Sequence, residues 1–320
     1  MDSFTVLVTA CIPEPGIQLL KERGYRVEVL NEEDEQLEHL IFTKIKNADA
    51  LLPLLSHKVD RRLIDRAPRL KVIANYAVGY NNIDVAYASS KGIVVTNTPD
   101  ILTPATADLT WALILSVAKR IVEGDALVRA GKFKGWRPKL LLGGDVTGKT
   151  LGIVGAGRIG QAVGKRALGF NMSLLYVSPH AKPDFERDTG AKRVDLTTLL
   201  AESDYITIHC PLTEETHHLL NAGNMSRIKR GAYLINTARG QVVEEKALVS
   251  LLKSGHLAGA GLDVYEFEPA VSEELLNMKN VVLLPHIGSA TVETRNEMSR
   301  MAARNIISVL EEGKAIHPVN

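Results

Sequence analysis

The sequence predicts an α/β protein built from two doubly wound parallel sheets. Three observations support this. Short apolar runs alternate with longer amphipathic stretches along the chain, the pattern of repeated βαβ units. A glycine-rich turn, "GAGRIG" (155–160), separates an apolar run from an amphipathic one. At 320 residues the chain is also long for one core, so two domains are expected.

The strand candidates of the first part are "TVLVTA" (Thr5 to Ala10), "YRVEVL" (Tyr25 to Leu30), "ALLPLL" (Ala50 to Leu55), "LKVIAN" (Leu70 to Asn75) and "GIVVTN" (Gly92 to Asn97). Next comes "ILTPATADLTWALILSVAKRIVEGDALVRAGKF", the longest helical pattern, with Thr103 and Pro104 at its start because proline is tolerated in a first turn. The second set of strands is "TLGIVG", "SLLYVS", "YITIHC", "AYLINTA", "GAGLDV" and "VVLLPH". Such continuous apolar runs suit sheets buried on both faces. A last amphipathic helix, Thr291 to Glu312, has too little chain after it to found a new domain, so it is expected to return to the first. The expected division is a discontinuous domain of residues 1–100 and 288–320 around a domain of 101–287.

Composition narrows the function. Apolar residues make up 45% and charged residues 23%, and the formal net charge is +1, so no global field would recruit nucleic acid or anionic lipid. The acidic run "NEEDEQLE" reads as a solvated surface. Two cysteines, Cys11 and Cys210, cannot make a disulfide framework. The N-terminus has no basic n-region and no apolar run is long enough for a bilayer, so a cytoplasmic protein without membrane partners is expected.

The glycine turn has the context a dinucleotide site requires: strand, tight turn, helix and a second strand ending at Ser178. Gly155 permits the turn, Gly157 lets backbone approach a pyrophosphate, and Gly160 lets helix and strand pack closely. The helix that follows, "QAVGKRAL", offers free N–H groups at its N-terminus to phosphate, and Arg158 and Ile159 of the glycine loop are expected to contact the cofactor. At the end of the second strand an acid would bind a ribose 2′-hydroxyl and repel a 2′-phosphate. Ser178 stands there instead, with His180 and Lys182 beyond it and Arg158 in the glycine loop, a set that can accept a phosphate dianion. NADP(H) is therefore favoured and NAD(H) left open, since no arginine immediately follows Ser178 to clamp the phosphate bidentately.

Three residues past later strands suit hydride transfer to a 2-keto acid. Arg239 of "LINTARG" can grip a carboxylate bidentately, and His286 of "LLPHIG" is a natural acid near neutral pH. Glu268 of "YEFEP" can favour the protonated imidazole, although Glu266 beside it is an equal candidate by composition. Ligands of open α/β sheets collect beyond the carboxyl ends of the strands, where all three fall. "HCPLTEETHH" invites a zinc reading, but its Cys and His residues lack a paired close-spaced ligand set and no metal is expected. Gly259 and Gly261 of "AGAGLD" lie within a strand, so close packing explains them better than a second clasp.

The chain resembles the D-isomer-specific 2-hydroxyacid dehydrogenases, most of all the glyoxylate/hydroxypyruvate reductases. The blocks "YAVGYNNIDV", "TPATADLTWALIL", "W-R-P", "GKTLGIVGAGRIG", "HCPLTEETHHLL", "LINTARGQVVEEKAL", "GLDVYEFEP" and "LLPHIGSAT" are similar to that family's, in its order and over nearly the whole chain. The resemblance implies a flavodoxin-like substrate domain beside a dinucleotide-binding Rossmann domain, with a cleft closing over NADPH and a small acid. It implies that Arg239 binds the substrate carboxylate and carbonyl, that His286 donates the proton, and that Glu268, not Glu266, is its partner. Val78 and Gly79 would give backbone N–H groups to the carboxylate and Leu54 would line the pocket. Thr106, Pro211, Thr216, Thr237, Ala238, Asp263 and Gly288 would line the nicotinamide and ribose path. The helix from Ile101 would sit in a homodimer interface, and Trp136 matches a tryptophan that in some members reaches a neighbouring active site. The expected partner is a small 2-keto or 2-hydroxy acid. A dehydrogenase for a bulkier acid and a nucleotide-sensing corepressor-like protein are the alternatives.

Overall fold

The computed structural model describes residues 3–320; Met1 and Asp2, counted above with the first domain, lie outside the described residues. The described residues divide into two compact units, 3–102 with 289–320 and 103–288. Each is built on an all-parallel sheet.

The first unit holds β1 (Thr5–Val8), β2 (Arg26–Val29), β3 (Ala50–Leu52), β4 (Val72–Ala74) and β5 (Val94–Thr96), in the order β2-β1-β3-β4-β5. That order is flavodoxin-like. The strands are shorter than their apolar runs suggest. In "ALLPLL" the ladder stops before Pro53, which has no N–H to give. Val6 to Val8 and Ala50 to Leu52 are wholly buried, as strands covered on both faces must be. The helix Val292–Glu312, capped by the Thr291 hydroxyl, packs on the helix Glu14–Glu22. Gly16 permits this: a Cβ there would lie 2.2 Å from the Ser299 carbonyl oxygen, and its N–H donates to Ser299 Oγ at 2.9 Å. The terminal segment then returns to β5, where Val319 N–H donates to the Val95 carbonyl.

The second unit holds β6 (Thr150–Val154), β7 (Ser173–Val177), β8 (Lys192–Arg193), β9 (Tyr205–Ile208), β10 (Tyr233–Asn236), β11 (Gly259–Leu262) and β12 (Val281–Leu283). Their order, β12-β11-β10-β9-β6-β7-β8, is the Rossmann order with one strand added. The two-residue β8 has no apolar signature and escapes a search for apolar runs. Strand order reverses between β6 and β9, so the loops after these strands diverge and leave a crevice there.

One helical expectation is corrected. The stretch from Ile101 to Phe133 is two helices, Thr103–Ala118 and Ile121–Arg129, and the longest helix is instead Val292–Glu312, of 21 residues. The break falls at Arg120, whose φ is 56°, and the Ala118 carbonyl accepts from Gly144 N–H instead of continuing the helix. Helical periodicity runs straight through this point, so the sequence hides the break. Thr103–Ala118 is anchored by Trp111, whose indole N–H donates to the Val163 carbonyl at 3.0 Å. It also lies against β11, where a Cβ at Gly261 would be 3.0 Å from Leu113 Cβ, so the "AGAGLD" glycines serve close packing. Among the described residues no helix is long and apolar enough to cross a membrane.

Candidate active site

The glycine turn after β6 divides its work as its three positions require. Gly155 has φ 96°, and a Cβ on it would come within 2.5 Å of Cys210 N, so only glycine fits beside the loop after β9. A Cβ on Gly160 would lie 2.2 Å from the Gly155 carbonyl oxygen, which seats the helix Arg158–Ala167 against the turn. Gly157, the N-cap of that helix, is different: nothing lies within 4 Å of its Cβ direction and no side chain caps the helix. Open backbone N–H groups at a helix N-terminus suit a pyrophosphate, so these residues fit a dinucleotide.

Past β10 the backbone turns sharply to present Arg239. Buried Asn236 makes the turn: its Oδ1 accepts from Ala238 N–H at 3.0 Å and its Nδ2 donates to the Arg239 carbonyl at 2.9 Å. Gly240 brings this loop against the one after β11, since a Cβ there would fall 1.9 Å from the Tyr265 carbonyl. Burial lowers the pKa of the Arg239 guanidinium and the nearby Glu268 charge opposes the shift, so the two groups act on each other.

Glu268 and His286 meet directly, with Nδ1 to Oε2 at 3.1 Å and both side chains partly exposed. Burial alone would raise the Glu268 carboxyl. The hydrogen bond and charge of His286, the Tyr265 N–H at 3.0 Å and the charge of Arg239 outweigh it and hold the group below the usual glutamate value. It therefore stays a carboxylate against the imidazole. His286 sits at φ 55°, a strained region for a side-chain-bearing residue. The turn is held by buried Asp263, whose Oδ1 accepts from Ile287 N–H at 2.7 Å and Oδ2 from Gly288 N–H at 2.8 Å. Burial raises the Asp263 pKa, against the pull of those N–H groups and of His286.

The structure separates the two glutamates that composition could not. Glu266 takes His218 Nε2 at 2.6 Å on one oxygen and Glu245 N–H at 2.8 Å on the other. Its partners are another histidine and the start of the helix Glu245–Lys253.

The remaining expected residues of this unit lie in its loops and first helix. Thr106 donates to the Gly288 carbonyl at 3.0 Å, and Thr237 shares a hydrogen bond with Thr110 at 2.9 Å. Thr216 donates to the Pro211 carbonyl at 2.6 Å, closing the loop after β9. Ser178 lies one residue past β7. Of the residues that invited a zinc reading, His209 has both ring nitrogens buried without a protein partner and burial pushes its pKa down to about 3, while Cys210 is pushed up to about 11. Among the described residues no group of three or more His, Cys, Asp or Glu could hold a metal ion.

In the first unit, Leu54, Val78 and Gly79 share a device that sequence reasoning missed. Three asparagines tie their carbonyls: Asn82 Nδ2 to Leu54 at 3.1 Å, Asn97 Nδ2 to Val78 at 2.8 Å and Asn75 Nδ2 to Gly79 at 2.7 Å. The Ala77 carbonyl is held as well, by Thr98 N–H. In a trans peptide N–H opposes C=O. Anchoring the Ala77 and Val78 carbonyls therefore turns the Val78 and Gly79 N–H groups away from these anchors, as a pair of donors. The "NN" of "VGYNNID" was the available signal, but a side chain bonding to backbone leaves no periodic mark.

Comparison with known proteins identifies the family. The family described as "D-isomer specific 2-hydroxyacid dehydrogenase, NAD binding domain" matches residues 111–288. A glyoxylate reductase of Thermococcus litoralis is 51% identical over 307 residues, covering 95% of this chain and 92% of its own. Among solved structures, a Thermus thermophilus protein aligns with TM-score 0.93 at 46% identity, over 99% of this chain and 100% of its own. An NADPH-dependent glyoxylate/hydroxypyruvate reductase of Sinorhizobium meliloti, in complex with NADP and malonate, aligns with TM-score 0.89 at 33% identity, over 99% and 97%.

Proposed function

The chain belongs to the D-isomer specific 2-hydroxyacid dehydrogenase family and is an NAD(P)-dependent oxidoreductase; on that premise we propose that it reduces glyoxylate and hydroxypyruvate to their 2-hydroxy acids. The observation that carries the reading is the His286–Glu268 pair, electrostatically coupled to Arg239 through Glu268.

When bound, the reduced nicotinamide supplies the hydride that the keto carbon receives. Arg239 binds the substrate carboxylate and polarises the carbonyl by charge-assisted hydrogen bonds. His286 delivers the proton to the carbonyl oxygen as charge develops there, and Glu268 stabilises and orients the imidazolium. Val78 and Gly79 contribute carboxylate-binding N–H groups and Leu54 lines the pocket. Gly155, Gly157, Arg158, Ile159 and Gly160 hold the pyrophosphate. Thr106, Pro211, Thr216, Thr237, Ala238, Asp263 and Gly288 surround the nicotinamide and its ribose. NADP(H) is preferred, because Ser178 stands where a carboxylate would repel the 2′-phosphate. The working form is a homodimer in the cytoplasm. In support of the dimer, Ile121, Val122, Phe133, Trp136 and Leu142 are all more than half exposed, an apolar display that suits a second copy of the chain.

The test is a matrix of NADPH and NADH against glyoxylate, hydroxypyruvate, pyruvate and phenylpyruvate, followed by loss of reduced-nicotinamide absorbance. Fastest turnover of the two smallest oxygenated acids with NADPH is expected. Faster turnover of phenylpyruvate would overturn the substrate reading, and preference for NADH would overturn the cofactor reading.

A further inference from the structure

We propose that Arg193, on the edge strand β8, is a specificity residue that takes the 2′-phosphate of NADP(H) alongside Ser178; this rests on the cofactor reading above. No arginine immediately follows Ser178 in sequence. Strand pairing supplies one from fifteen residues downstream, because β8 adds to β7 with Arg193 in register with Tyr176. The guanidinium lies along the loop after β7, donating from Nε to the Ser178 carbonyl at 3.1 Å and from Nη2 to the Pro179 carbonyl at 2.7 Å. These bonds engage two of the five N–H donors of an exposed side chain.

The rest of the loop is built to receive an anion. Its far end is fixed by wholly buried Tyr176, whose hydroxyl accepts from Lys182 N–H at 2.8 Å and donates to the Glu186 carboxylate. Residues 178–182 contain no acid, and His180 and Lys182 stand among them. The acids on the following helix are engaged: Glu186 with Tyr176, and Asp184 and Asp188 with Arg187 at 2.7 and 3.1 Å. A phosphate dianion beside Ser178 would thus meet an arginine anchored by two bonds and no unpaired carboxylate of this helix. Anchoring reduces the rotamer entropy lost on binding, which favours Arg193 over a free lysine as the clamp.

A purely structural Arg193 would brace the loop and serve both cofactors equally. Dissociation constants for NADPH, NADH and adenosine 2′,5′-bisphosphate, measured by calorimetry on the unaltered protein, Arg193→Ala and Arg193→Lys, separate the two roles. Arg193→Ala is expected to weaken NADPH and the bisphosphate about ten- to a hundredfold, the range for hydrogen bonds to a charged group, and to leave NADH unchanged. Arg193→Lys should fall between, keeping charge without the fork. Equal weakening of NADH would show a brace and overturn the proposal. No change for any of the three ligands, with NADPH still preferred, would overturn it while the cofactor reading stands. Tighter NADH binding by the unaltered protein would remove both.

Discussion

The loop after β11 supplies a carboxylate to each of two histidines: Glu268 meets His286 at 3.1 Å and Glu266 meets His218 at 2.6 Å. By residue type the pairs are the same. They differ in what else each carboxylate faces. The second oxygen of Glu266 closes on Glu245 N–H and its side chain is 11% exposed, so that pair locks the start of a helix to the loop. Glu268 is 30% exposed, feels the charge of Arg239, and holds a histidine on a strained turn past the end of β12. The two histidines are similarly exposed, His218 at 33% and His286 at 25%, so the pairs differ in the carboxylate: only Glu268 is coupled to a second charge, the surroundings a reactive pair would need.

The comparison breaks most sharply on the histidines themselves. His286→Asn is expected to cost about 10²–10⁴-fold in turnover with glyoxylate, the usual contribution of a positioned general acid, and His218→Asn little. Equal losses would show that the two pairs are not functionally distinct. The unaltered enzyme should also lose reduction rate as pH rises and oxidation rate as pH falls, since the reaction consumes a proton in one direction and releases it in the other. The same pH profile in both directions would remove the proton-donor role.

Arg239 comes next. Arg239→Met should lower kcat/KM about 10²–10³-fold, comparable to loss of one transition-state hydrogen-bond donor, with KM raised as well. An unchanged KM would separate Arg239 from substrate binding. Glu268→Gln should have a smaller effect, legible in pH. The Glu268 pKa is lowered in the folded state, so its contribution to stability is present above the ordinary glutamate value and is lost as pH falls through the lowered one. The substitution should flatten that acid limb in urea-unfolding midpoints taken across pH.

What the sequence made legible follows from how each feature is encoded. Arg239, His286 and Gly155 lie just past strand ends, and strand ends are marked by the close of an apolar run. Both sheets, apart from β8, were readable for the same reason. Asn75, Asn82, Asn97 and Asn236 were not, because each bonds to backbone atoms whose direction exists only after folding. Arg193 was hidden by distance, since a two-residue edge strand in register with Tyr176 brings it to Ser178. The choice between Glu266 and Glu268 needed either the family resemblance or the observed partners, as a spacing of two residues carries no preference.

The smallest expected effect on rate isolates the second pair. Glu266→Ala removes an acceptor from His218 and from Glu245 N–H at the start of the helix Glu245–Lys253. Leaving a buried donor unpaired costs about 1–3 kcal/mol, so the unfolding free energy measured in urea should fall by that amount while turnover stays near that of the unaltered enzyme. Dissociation of stability from rate is the deciding observation. If Glu266→Ala lowered turnover as His286→Asn does, at unchanged stability, the second pair would belong to the chemistry and the division drawn between the two glutamates would be wrong. If it lowered stability alone, Glu266 would be the residue that keeps the loop after β11 in place so that Glu268, two residues on, can face His286.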